Sequence, residues 1–430
     1  MGYPRCTTGV SADPTIGSMA DRRLLVVGAS STRESAFPVW REMGLEVVLV
    51  DGYSPARYEY LAHEFVPLDA RDASADLDAI RELAGTCHGV TTLADNSQLT
   101  AASIAEDLGL PGVGRVAAGI ARSKLRQRAR FADAGMSVPR WRQVRAATDL
   151  EDFYADGPRT AVLKPVDSAG GAGVLRVHNL AEATRQWKVV RSLSPSRTVI
   201  IEDFLQGREV CVDAVVSGGA PVFVSVCEAT VAGPDGFIAV SARYSAHQPD
   251  RAQATAAIGQ VARALGVTEA MVHAEFKIDG DTWTILETAL RPGGAFVPDL
   301  TERVTGVNLY RAQARIALGE STPLPPTASA RPTVPYAQIR FLVAEGQVRR
   351  FVPPAKVVAG LPDVKIVNQF AGLGQRVRLP VSEEGRAGYA AGWGPDRDRL
   401  DAQLREAVAR LGRDMGLRDD SGAYTTDAAA

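Results

Sequence analysis

A pair of short apolar strands, each carrying one glutamate, constrains the fold of this chain more than any other stretch. The strands are predicted over Met271–Ile278 and Thr282–Leu286, and a three-residue segment, Asp279 to Asp281, joins them. A turn that short between alternating apolar residues predicts a β-hairpin. Glu275 lies near the middle of the first strand and Glu287 directly follows the second, so antiparallel pairing can bring the two carboxylates together.

Two neighbouring carboxylates repel each other unless a proton or a metal ion lies between them. Arg291 follows the hairpin, and Gly293 and Gly294 come directly after it in a Pro-Gly-Gly segment. Carboxylates, an arginine and open backbone suit a Mg²⁺–nucleotide site, because Mg²⁺ takes few protein carboxylates and completes its shell with phosphate oxygens. The alternative is a hairpin whose charged residues face solvent, and the hairpin alone does not decide between the two.

The composition is that of an ordinary globular protein of about two to four domains. The 430 residues are 46% hydrophobic and 23% charged, and the net charge of −2 argues against a general nucleic-acid-binding role. The four cysteines are scattered without a C-x-x-C pair. We therefore expect no zinc site or disulfide scaffold but free thiols in a reducing cytoplasm. No apolar run reaches bilayer length, so we expect no membrane partner.

The first part of the chain predicts a small open α/β domain. Residues 1–20 lack a continuous apolar core and are expected to be a disordered leader rather than a signal peptide. From 21 to about 115, apolar strands alternate with helices, beginning with the strand Arg23–Gly28 and a helix from about Ala29 to Met43. No complete G-x-G-x-x-G follows the first strand, which argues against dinucleotide binding.

The next part, residues 116–318, carries two lysines in distinct settings. Lys124 lies in a helix predicted over Arg115–Gly135, where a lysine is usually solvated. Lys164 lies near the end of the apolar strand Thr160–Pro165, where an ammonium group is costly unless it meets an anion.

A glycine-rich loop follows the second of these lysines directly. It contains Ser168, Gly170, Gly171 and Gly173. Such loops let backbone N–H groups approach phosphate oxygens closely, although a plain flexible turn is the alternative. The loop is not a P-loop, because its lysine precedes the glycines.

The remaining elements predict antiparallel strands, a linker and a terminal subdomain. Consecutive strands are predicted from residue 199 to residue 227. The Pro/Ser/Thr-rich segment 319–335 reads as a linker. Residues 336–418 are expected to form a small subdomain, and 419–430 a disordered tail. The subdomain elements are strands over Tyr336–Phe351, Lys365–Asn368 and Gln375–Leu379 and a helix over Asp396–Arg410.

Six motifs in this order resemble those of the ATP-grasp superfamily. They are Lys124 in a helix, Lys164 in VLKP, SAGGAG (168–173), IIEDFLQGREV (200–210), HAEF (273–276) and ILETALRPGG (285–294). The resemblance covers roughly residues 21–415. It implies an α/β and α+β multidomain fold, with an N-terminal open α/β domain, a central domain whose ATP lid spans about 138–215, and a C-terminal antiparallel sheet domain. LETALRPGG looks most like the L-amino-acid ligase and carnosine-synthase-like group, whose members join a carboxylate to an amine.

The resemblance implies a role for each matching residue. Lys124 and Lys164 would hold the ATP phosphates under the lid loop, with Lys164 also assisting catalysis. The hinge that holds adenine would be Glu202, Asp203, Phe204 and Leu205, and Glu209 would accept hydrogen bonds from the ribose. Glu275 and Glu287 would bind Mg²⁺, or Mn²⁺ in its place. Arg291 would face the transferred phosphoryl group.

The substrate-binding residues depart in part from the family pattern. His247 resembles a substrate-binding histidine of the amino-acid ligases, but the glutamate that precedes it in their E-x-x-H segment is absent here. Ala289 stands where many ATP-grasp enzymes have a third metal ligand, asparagine. His273 shares a strand face with Glu275, and it is a candidate substrate contact together with Gly293 and Gly294.

The expected activity is that of an ATP-dependent carboxylate–amine ligase. It would activate a carboxylate as an acyl phosphate and form a dipeptide or amide, releasing ADP and phosphate. Two alternatives stay open: a ligase or carboxylase acting on a purine precursor or bicarbonate, and a non-catalytic nucleotide-binding protein. Small-molecule acids and amines are the expected partners, and the family likeness also allows a homodimer.

Overall fold

The computed structural model describes residues 22–30, 32–52, 59–72, 74–232, 237–248, 250–320, 334–378 and 382–419. The predicted leader, most of the predicted linker and nearly all of the predicted tail lie outside these residues. No helix in the described ranges is both long enough and apolar enough to cross a bilayer.

The N-terminal region is a four-stranded parallel sheet in the order β3-β2-β1-β4. Its strands are β1 Arg23–Val27, β2 Glu46–Val50, β3 Glu64–Val66 and β4 Gly89–Thr91, and its helices are α1 Ala36–Glu42, α2 Leu77–Ala84 and α3 Gln98–Asp107. The apolar runs of β1 and β2 are almost completely buried, as expected for parallel strands covered on both faces.

The first helix begins later than the sequence predicted. It starts at Ala36, not near Ala29, and the residues before it form a loop. Pro38 explains the difference, because proline is tolerated in the first turn of a helix but clashes with the preceding turn in a helix interior. The loop thereby places Thr32 and Arg33 at the edge of the domain.

The predicted helix over Arg115–Gly135 is two helices, α4 Arg115–Ala121 and α5 Lys124–Asp133. Ser123 caps the second helix, and its side chain accepts a hydrogen bond from the backbone N–H of Arg126. The backbone N–H of Lys124 donates to the carbonyl of Val166 at 2.8 Å. The break therefore fixes Lys124 beside the strand that carries Lys164.

The second sheet is antiparallel, in the order β5-β8-β6-β7. Its strands are β5 Trp141–Val144, β6 Ala161–Pro165, β7 Leu175–Val177 and β8 Val199–Asp203, and helices α6 Ala147–Phe153 and α7 Leu180–Leu193 pack on it. This sheet ends at Asp203. The strand after residue 207 pairs in the next sheet, so the predicted lid, about 138–215, would include residues of both sheets.

An eight-stranded sheet forms the body of the molecule, in the order β13-β12-β9-β10-β11-β14-β18-β16. Its first strands are β9 Arg208–Ser217, β10 Ala220–Ala232, β11 Ile238–Ser245, β12 Ala270–Asp279 and β13 Thr282–Ala289. Helix α8 Arg251–Leu265 buries its apolar face against this sheet, and α9 Val297–Thr305 and α10 Leu309–Ala317 follow the hairpin.

The strands after the predicted linker continue this sheet, so the linker is not a boundary between sheets. β14 Tyr336–Leu342 pairs with β11, and the predicted strand Tyr336–Phe351 breaks after Leu342. The remaining elements are β15 Ala344–Gln347, α11 Pro354–Val358, β16 Val364–Gln369, β17 Arg376–Val377, β18 Gly388–Gly394, α12 Arg397–Met415 and β19 Arg418–Asp419. The strands β17, β15 and β19 form a small sheet of their own, and Asp419, the first residue of the predicted tail, belongs to it.

Helix α12 holds the terminal strands in place by apolar burial. Leu400, Leu404 and Leu411 are at most 1% exposed and pack in one cluster with residues of β16 and β18. Burying one leucine side chain stabilises a fold by roughly 1.5–3 kcal/mol. The last strands therefore stay fixed at one end of the eight-stranded sheet.

Candidate active site

A cleft of about 1620 Å³ lies where the three parts of the chain meet. The N-terminal region contributes Arg33 and Asp95, the second sheet contributes Lys164 and the glycine loop, and the hairpin contributes Glu275 and its neighbours. The segment Phe370–Arg378 and residues around Glu383 close the side that belongs to the terminal strands.

The two glutamates of the hairpin are direct partners across β12 and β13. Glu275 lies opposite Glu287, and the register shifts directly after this pair, as in a β-bulge. Both side chains are about one-third exposed, at 37% and 34%, and both line the cleft. The sequence prediction that antiparallel pairing brings these carboxylates together is therefore confirmed.

Positive charges surround this pair of carboxylates. Lys124 Nζ lies 2.9 Å from Glu287 Oε1 and also donates to the carbonyl of Ser168 at 2.7 Å. Burial raises the pKa of Glu275, but the hydrogen bond and charge of His273, with Lys124 and Arg291, outweigh burial and lower it. Glu275 can thus face the cleft as an ionised oxygen donor, and Glu287 lies beside it with Lys124 as its partner.

The donor set of the hairpin fits Mg²⁺. Glu275 and Glu287 offer hard carboxylate oxygens at one wall of an open cleft. Ala289, opposite His273 in the register, has no ligand atom to add. Two protein carboxylates are sufficient for an ion that keeps waters and substrate phosphates in the rest of its shell.

Lys164 and Glu202 form the most deeply buried charge cluster of the cleft, together with Arg128. Lys164 Nζ lies 2.6 Å from Glu202 Oε2, and Arg128 Nε lies 2.8 Å from Glu202 Oε1. Burial lowers the pKa of Lys164, only partly offset by Glu202. Burial raises the pKa of Glu202, but Arg128 and Lys164 outweigh it and lower that pKa. Glu202 thus orients Lys164 through its side chain.

The expected adenine hinge lies along the cleft, but several of its polar groups already have partners. Phe204 and Leu205 line the cleft next to Asp203. The backbone N–H of Asp203 donates to the carbonyl of Arg140, and that of Phe204 donates to the carbonyl of Thr160. Arg176 lies 4.1 Å above the ring of Phe204.

The glycine loop adopts backbone conformations that require glycine. Gly170, Gly171 and Gly173 have φ angles of 61°, 72° and 74°. Ser168, Gly170 and Gly171 line the cleft. Gly173 instead packs where an added Cβ would lie 2.9 Å from Pro165 Cγ. The carbonyl of Gly170 accepts a hydrogen bond from the backbone N–H of Glu383 at 2.8 Å, so the loop contacts the terminal region.

Glu209 lines the cleft near the expected hinge, and its carboxylate pairs with a lysine. Lys277 Nζ lies 3.1 Å from Glu209 Oε2. Burial raises the pKa of Glu209, and the charge of Lys277 only partly offsets it. The remaining carboxylate oxygen can accept a hydrogen bond from a ligand hydroxyl.

Arg291 extends from the end of the hairpin toward the N-terminal region. Its Nε donates to Asp95 Oδ1 at 2.8 Å, and a terminal nitrogen donates to the carbonyl of Pro292 at 2.7 Å. Burial raises the pKa of Asp95, but Arg291 and Arg33 outweigh it and hold that pKa well below its usual range. Arg33 donates to the carbonyls of Gly293 and Leu93.

His273 is held between two carboxylates. Its Nδ1 lies 3.2 Å from Asp213 Oδ2 and its Nε2 lies 3.6 Å from Glu275 Oε1. Burial opposes its protonation, but Asp213 and Glu275 outweigh burial and raise its pKa to about 9. Cys211 lies beside them, and its sulfur, His273 and Glu275 have ligand atoms within 4.8 Å of one another.

The two glycines after Arg291 have different surroundings. The N–H of Gly293 donates to Asp213 Oδ1 at 2.7 Å, and an added Cβ there would lie 2.9 Å from His273 Nδ1. Gly293 is therefore a packing position that orients Asp213 and His273. Gly294 lines the cleft beside Arg33.

One candidate lies away from this cleft. His247 is exposed in the loop after β11 and does not line the cleft, and its backbone N–H donates to Ser245 Oγ. The match that suggested it lacked the preceding glutamate of the motif.

The structure also brings four residues to the site that the sequence did not predict. They are Arg33, Asp95, Arg128 and Asp213. Of these four, Asp213 could have been found from the sequence. It lies two residues after Cys211, and residues two apart on a strand point to the same face of the sheet.

The ATP-grasp fold is defined by the parallel sheet, the second sheet and the eight-stranded sheet, together with the glycine loop and the paired carboxylates. A family model described as ATP-grasp domain matches residues 158–299, and one described as ATP-grasp N-terminal domain matches residues 40–112. The chain belongs to the ATP-grasp superfamily, and the family resemblance of its motifs is confirmed.

Solved structures share this fold across almost the whole chain. The L-amino acid ligase from Bacillus licheniformis superposes with a TM-score of 0.76 at 21% identity, covering 91% of this chain and 98% of that chain. The N5-carboxyaminoimidazole synthetase from Staphylococcus aureus, complexed with ADP, has a TM-score of 0.71 at 16% identity, covering 90% and 97%. At these identities the likeness concerns the fold alone.

Curated relatives are similar over shorter shares of their length. Dapdiamide A synthase from Enterobacter agglomerans is 29% identical over 152 residues, which are 34% of this chain and 36% of that protein. Carnosine synthase 1 from Gallus gallus is 28% identical over 340 residues, which are 72% of this chain and 36% of that protein. This chain thus spans 36% of the length of each of these two relatives.

Proposed function

We propose that the protein is an ATP-dependent carboxylate–amine ligase that forms an amide, such as a dipeptide, and releases ADP and phosphate. The observation that carries the proposal is the arrangement around the hairpin. Glu275 and Glu287 face the cleft as a pair, with Lys124 on one of them and Arg291 beyond. The relatives named as synthases and ligases support the same class of activity.

The first step transfers a phosphoryl group to a carboxylate. A carboxylate oxygen attacks the γ-phosphorus of ATP, the bond to the bridging oxygen breaks, and ADP leaves. Both reacting groups are anionic, so the step needs positioning and positive charge more than covalent chemistry. Lys124 and Lys164 lie where they can hold phosphates, and Arg291 lies where it can neutralise the charge that develops on the transferred group.

Glu275 and Glu287 would hold the Mg²⁺ ion, or Mn²⁺, that accompanies the nucleotide. When bound, the ion neutralises phosphate charge and keeps the transferred group in line. The chain keeps both carboxylates ready for that purpose. Lys124 pairs with Glu287, and His273 lies beside Glu275. Both glutamate side chains are therefore oriented before a ligand binds.

The second step forms the amide. The neutral amine attacks the acyl carbonyl, phosphate leaves with the former carboxylate oxygen, and the nitrogen loses a proton. An acyl phosphate hydrolyses easily, so water must be excluded during its lifetime. The glycine loop is suited to that task because it lies over the cleft and contacts the terminal region through Glu383.

The test is release of ADP by the purified protein with Mg²⁺, ATP and a broad panel of amino acids. We expect ADP and phosphate only when both an acid and an amine are present. Mass spectrometry of a pooled-substrate reaction then identifies the amide. ADP release with bicarbonate or a purine precursor, and none with amines, would replace this proposal with the carboxylase alternative. Nucleotide binding without turnover on any substrate would contradict both.

A further inference from the structure

Arg33 is a buried guanidinium without a carboxylate of its own. It is 4% exposed and lies on the loop between β1 and α1. Its Nε donates to the carbonyl of Gly293 at 2.9 Å, and a terminal nitrogen donates to that of Leu93 at 2.6 Å. Among the described residues, no carboxylate oxygen lies within 4.0 Å of its nitrogens. These two carbonyl oxygens accept hydrogen bonds from Arg33 but do not neutralise its charge.

Asp95, the carboxylate that raises the pKa of Arg33 most, already pairs with another arginine. Asp95 Oδ1 accepts hydrogen bonds from both Nε and a terminal nitrogen of Arg291. Burial lowers the pKa of Arg33, and the positive charge of Arg291 lowers it further. Asp95 raises it only in part, so the pKa is about 10. The cluster thus contains two guanidinium groups and one carboxylate, which pairs directly with Arg291 alone, and buried charges are costly when they are not fully paired. The cluster therefore keeps one net positive charge, which one more anion would neutralise.

The residues around Arg33 indicate where that anion would bind. Arg33, Asp95 and Arg291 all line the cleft, together with Gly294. A Cβ added to Gly294 would lie 3.0 Å from one terminal nitrogen of Arg33, so the glycine leaves that nitrogen open toward the cleft. In the proposed reaction Lys124 and Lys164 hold the ATP phosphates and Arg291 faces the transferred group, which leaves Arg33 for another anion. A planar guanidinium with an open edge matches the two oxygens of a carboxylate.

We propose that Arg33 binds a free carboxylate on the amine substrate, so that the amine substrate is an amino acid or a peptide rather than a simple amine. The inference rests on the proposed ligase function. The acid that becomes activated does not fill this place, because its carboxylate becomes an acyl carbonyl without charge, and the phosphoryl group that it receives faces Arg291. A second carboxylate, retained through the reaction, balances the charge of Arg33 at every step.

The test compares an amine substrate with its own carboxamide. The wild-type full chain is assayed with ATP, Mg²⁺ and an accepted L-amino acid, and then with the L-amino acid amide in its place. A charge-assisted hydrogen bond predicts a kcat/KM about 10- to 100-fold higher for the acid form. Arg33→Ala should remove this preference by raising KM for the amino acid, with little change for the amide.

Two variants control for charge and for folding. Arg33→Lys keeps the charge without the fork and should retain part of the preference. Arg41→Ala removes an exposed arginine of helix α1 and should change neither substrate. Thermal melting shows whether each variant is folded. Binding without turnover is measured in the presence of a non-hydrolysable ATP analogue. The melting temperature of the protein with the amino acid is compared with its melting temperature with the amide.

The outcomes separate the two proposals. If ADP is released but Arg33→Ala loses activity equally with the amino acid and its amide, Arg33 does not read the carboxylate. Equal use of both substrates by the wild type has the same meaning. If no substrate supports ADP release, the ligase proposal fails, and the melting comparison still decides Arg33: equal stabilisation by the amino acid and its amide overturns the subsite.

Discussion

Two buried charge clusters lie at the cleft, and each contains two cations and one carboxylate. The Glu202 cluster consists of Lys164, Arg128 and Glu202. The Asp95 cluster consists of Arg33, Arg291 and Asp95, of which Asp95 pairs directly with Arg291. Both keep one positive charge in excess, so both are prepared for an anion. In our proposal the first anion is a nucleotide phosphate and the second is a substrate carboxylate.

The clusters differ in burial and in how the chain assembles them. The side chain of Glu202 is 3% exposed and that of Asp95 is 25% exposed. The members of the Glu202 cluster come from residues 128 to 202, which are the elements next to the glycine loop. Those of the Asp95 cluster are drawn from both sides of the cleft, with 260 residues between the partners Arg33 and Gly293. The difference teaches that the Glu202 cluster is assembled from neighbouring elements, whereas the Asp95 cluster depends on packing of the N-terminal region against the hairpin.

The largest effect is expected from Glu287→Gln, which removes one of the two carboxylates proposed to hold the metal ion between the two clusters' ligands. ADP release should fall by about 10²- to 10³-fold or more, the cost of losing a group that stabilises the transition state. The fold should stay intact, as seen by circular dichroism. Glu302→Gln, on an exposed glutamate of α9, is the matched control. Full activity in Glu287→Gln would remove this residue from the metal site.

A large loss of stability is expected from Glu202→Gln, because two buried cations would lose the carboxylate that pairs with both of them. Removing one partner of a buried pair costs about 3–5 kcal/mol. Asp95→Asn should cost less, since the Asp95 side chain is more exposed. Urea unfolding of both variants measures the difference. Equal losses would show that burial does not distinguish the two clusters.

The Asp95 cluster also predicts how stability depends on pH. Arg291 and Arg33 lower the pKa of Asp95 below its unfolded value of about 3.9. Its stabilising contribution is therefore fully present above that value and is lost as the pH falls through the lower folded pKa. The stability difference between wild type and Asp95→Asn should stay constant from about pH 5 to 7 and shrink below about pH 4. A difference that persists unchanged in acid would exclude an ionic role.

The smallest effect is expected from His247→Ala, since this exposed residue belongs to neither cluster. Turnover and KM for each substrate should stay within error of the wild type. Steady-state ADP release over a range of amine concentrations is the measurement. A raised KM would mean that the loop after β11 reaches the cleft when substrates are bound, and would restore the sequence hypothesis for His247.

Sequence patterns determined the parts of the site that depend on local geometry. The alternation of a β-hairpin is enough to align Glu275 with Glu287, because antiparallel register follows from strand and turn length. The ordered motifs indicated the ATP-grasp fold and its lysines. The positive φ angles of Gly170 and Gly171 explain why a glycine-rich loop was detectable from composition.

The tertiary structure alone decided which distant residues complete those parts. Arg33 and Asp95 stand in segments whose local patterns look ordinary, and they reach Arg291 only because the N-terminal sheet packs against the hairpin. The same packing makes the strands after the linker continue the central sheet and leaves His247 outside the cleft. Local sequence encodes backbone conformation and periodicity, but the neighbour of a buried charge across the cleft is set by long-range packing.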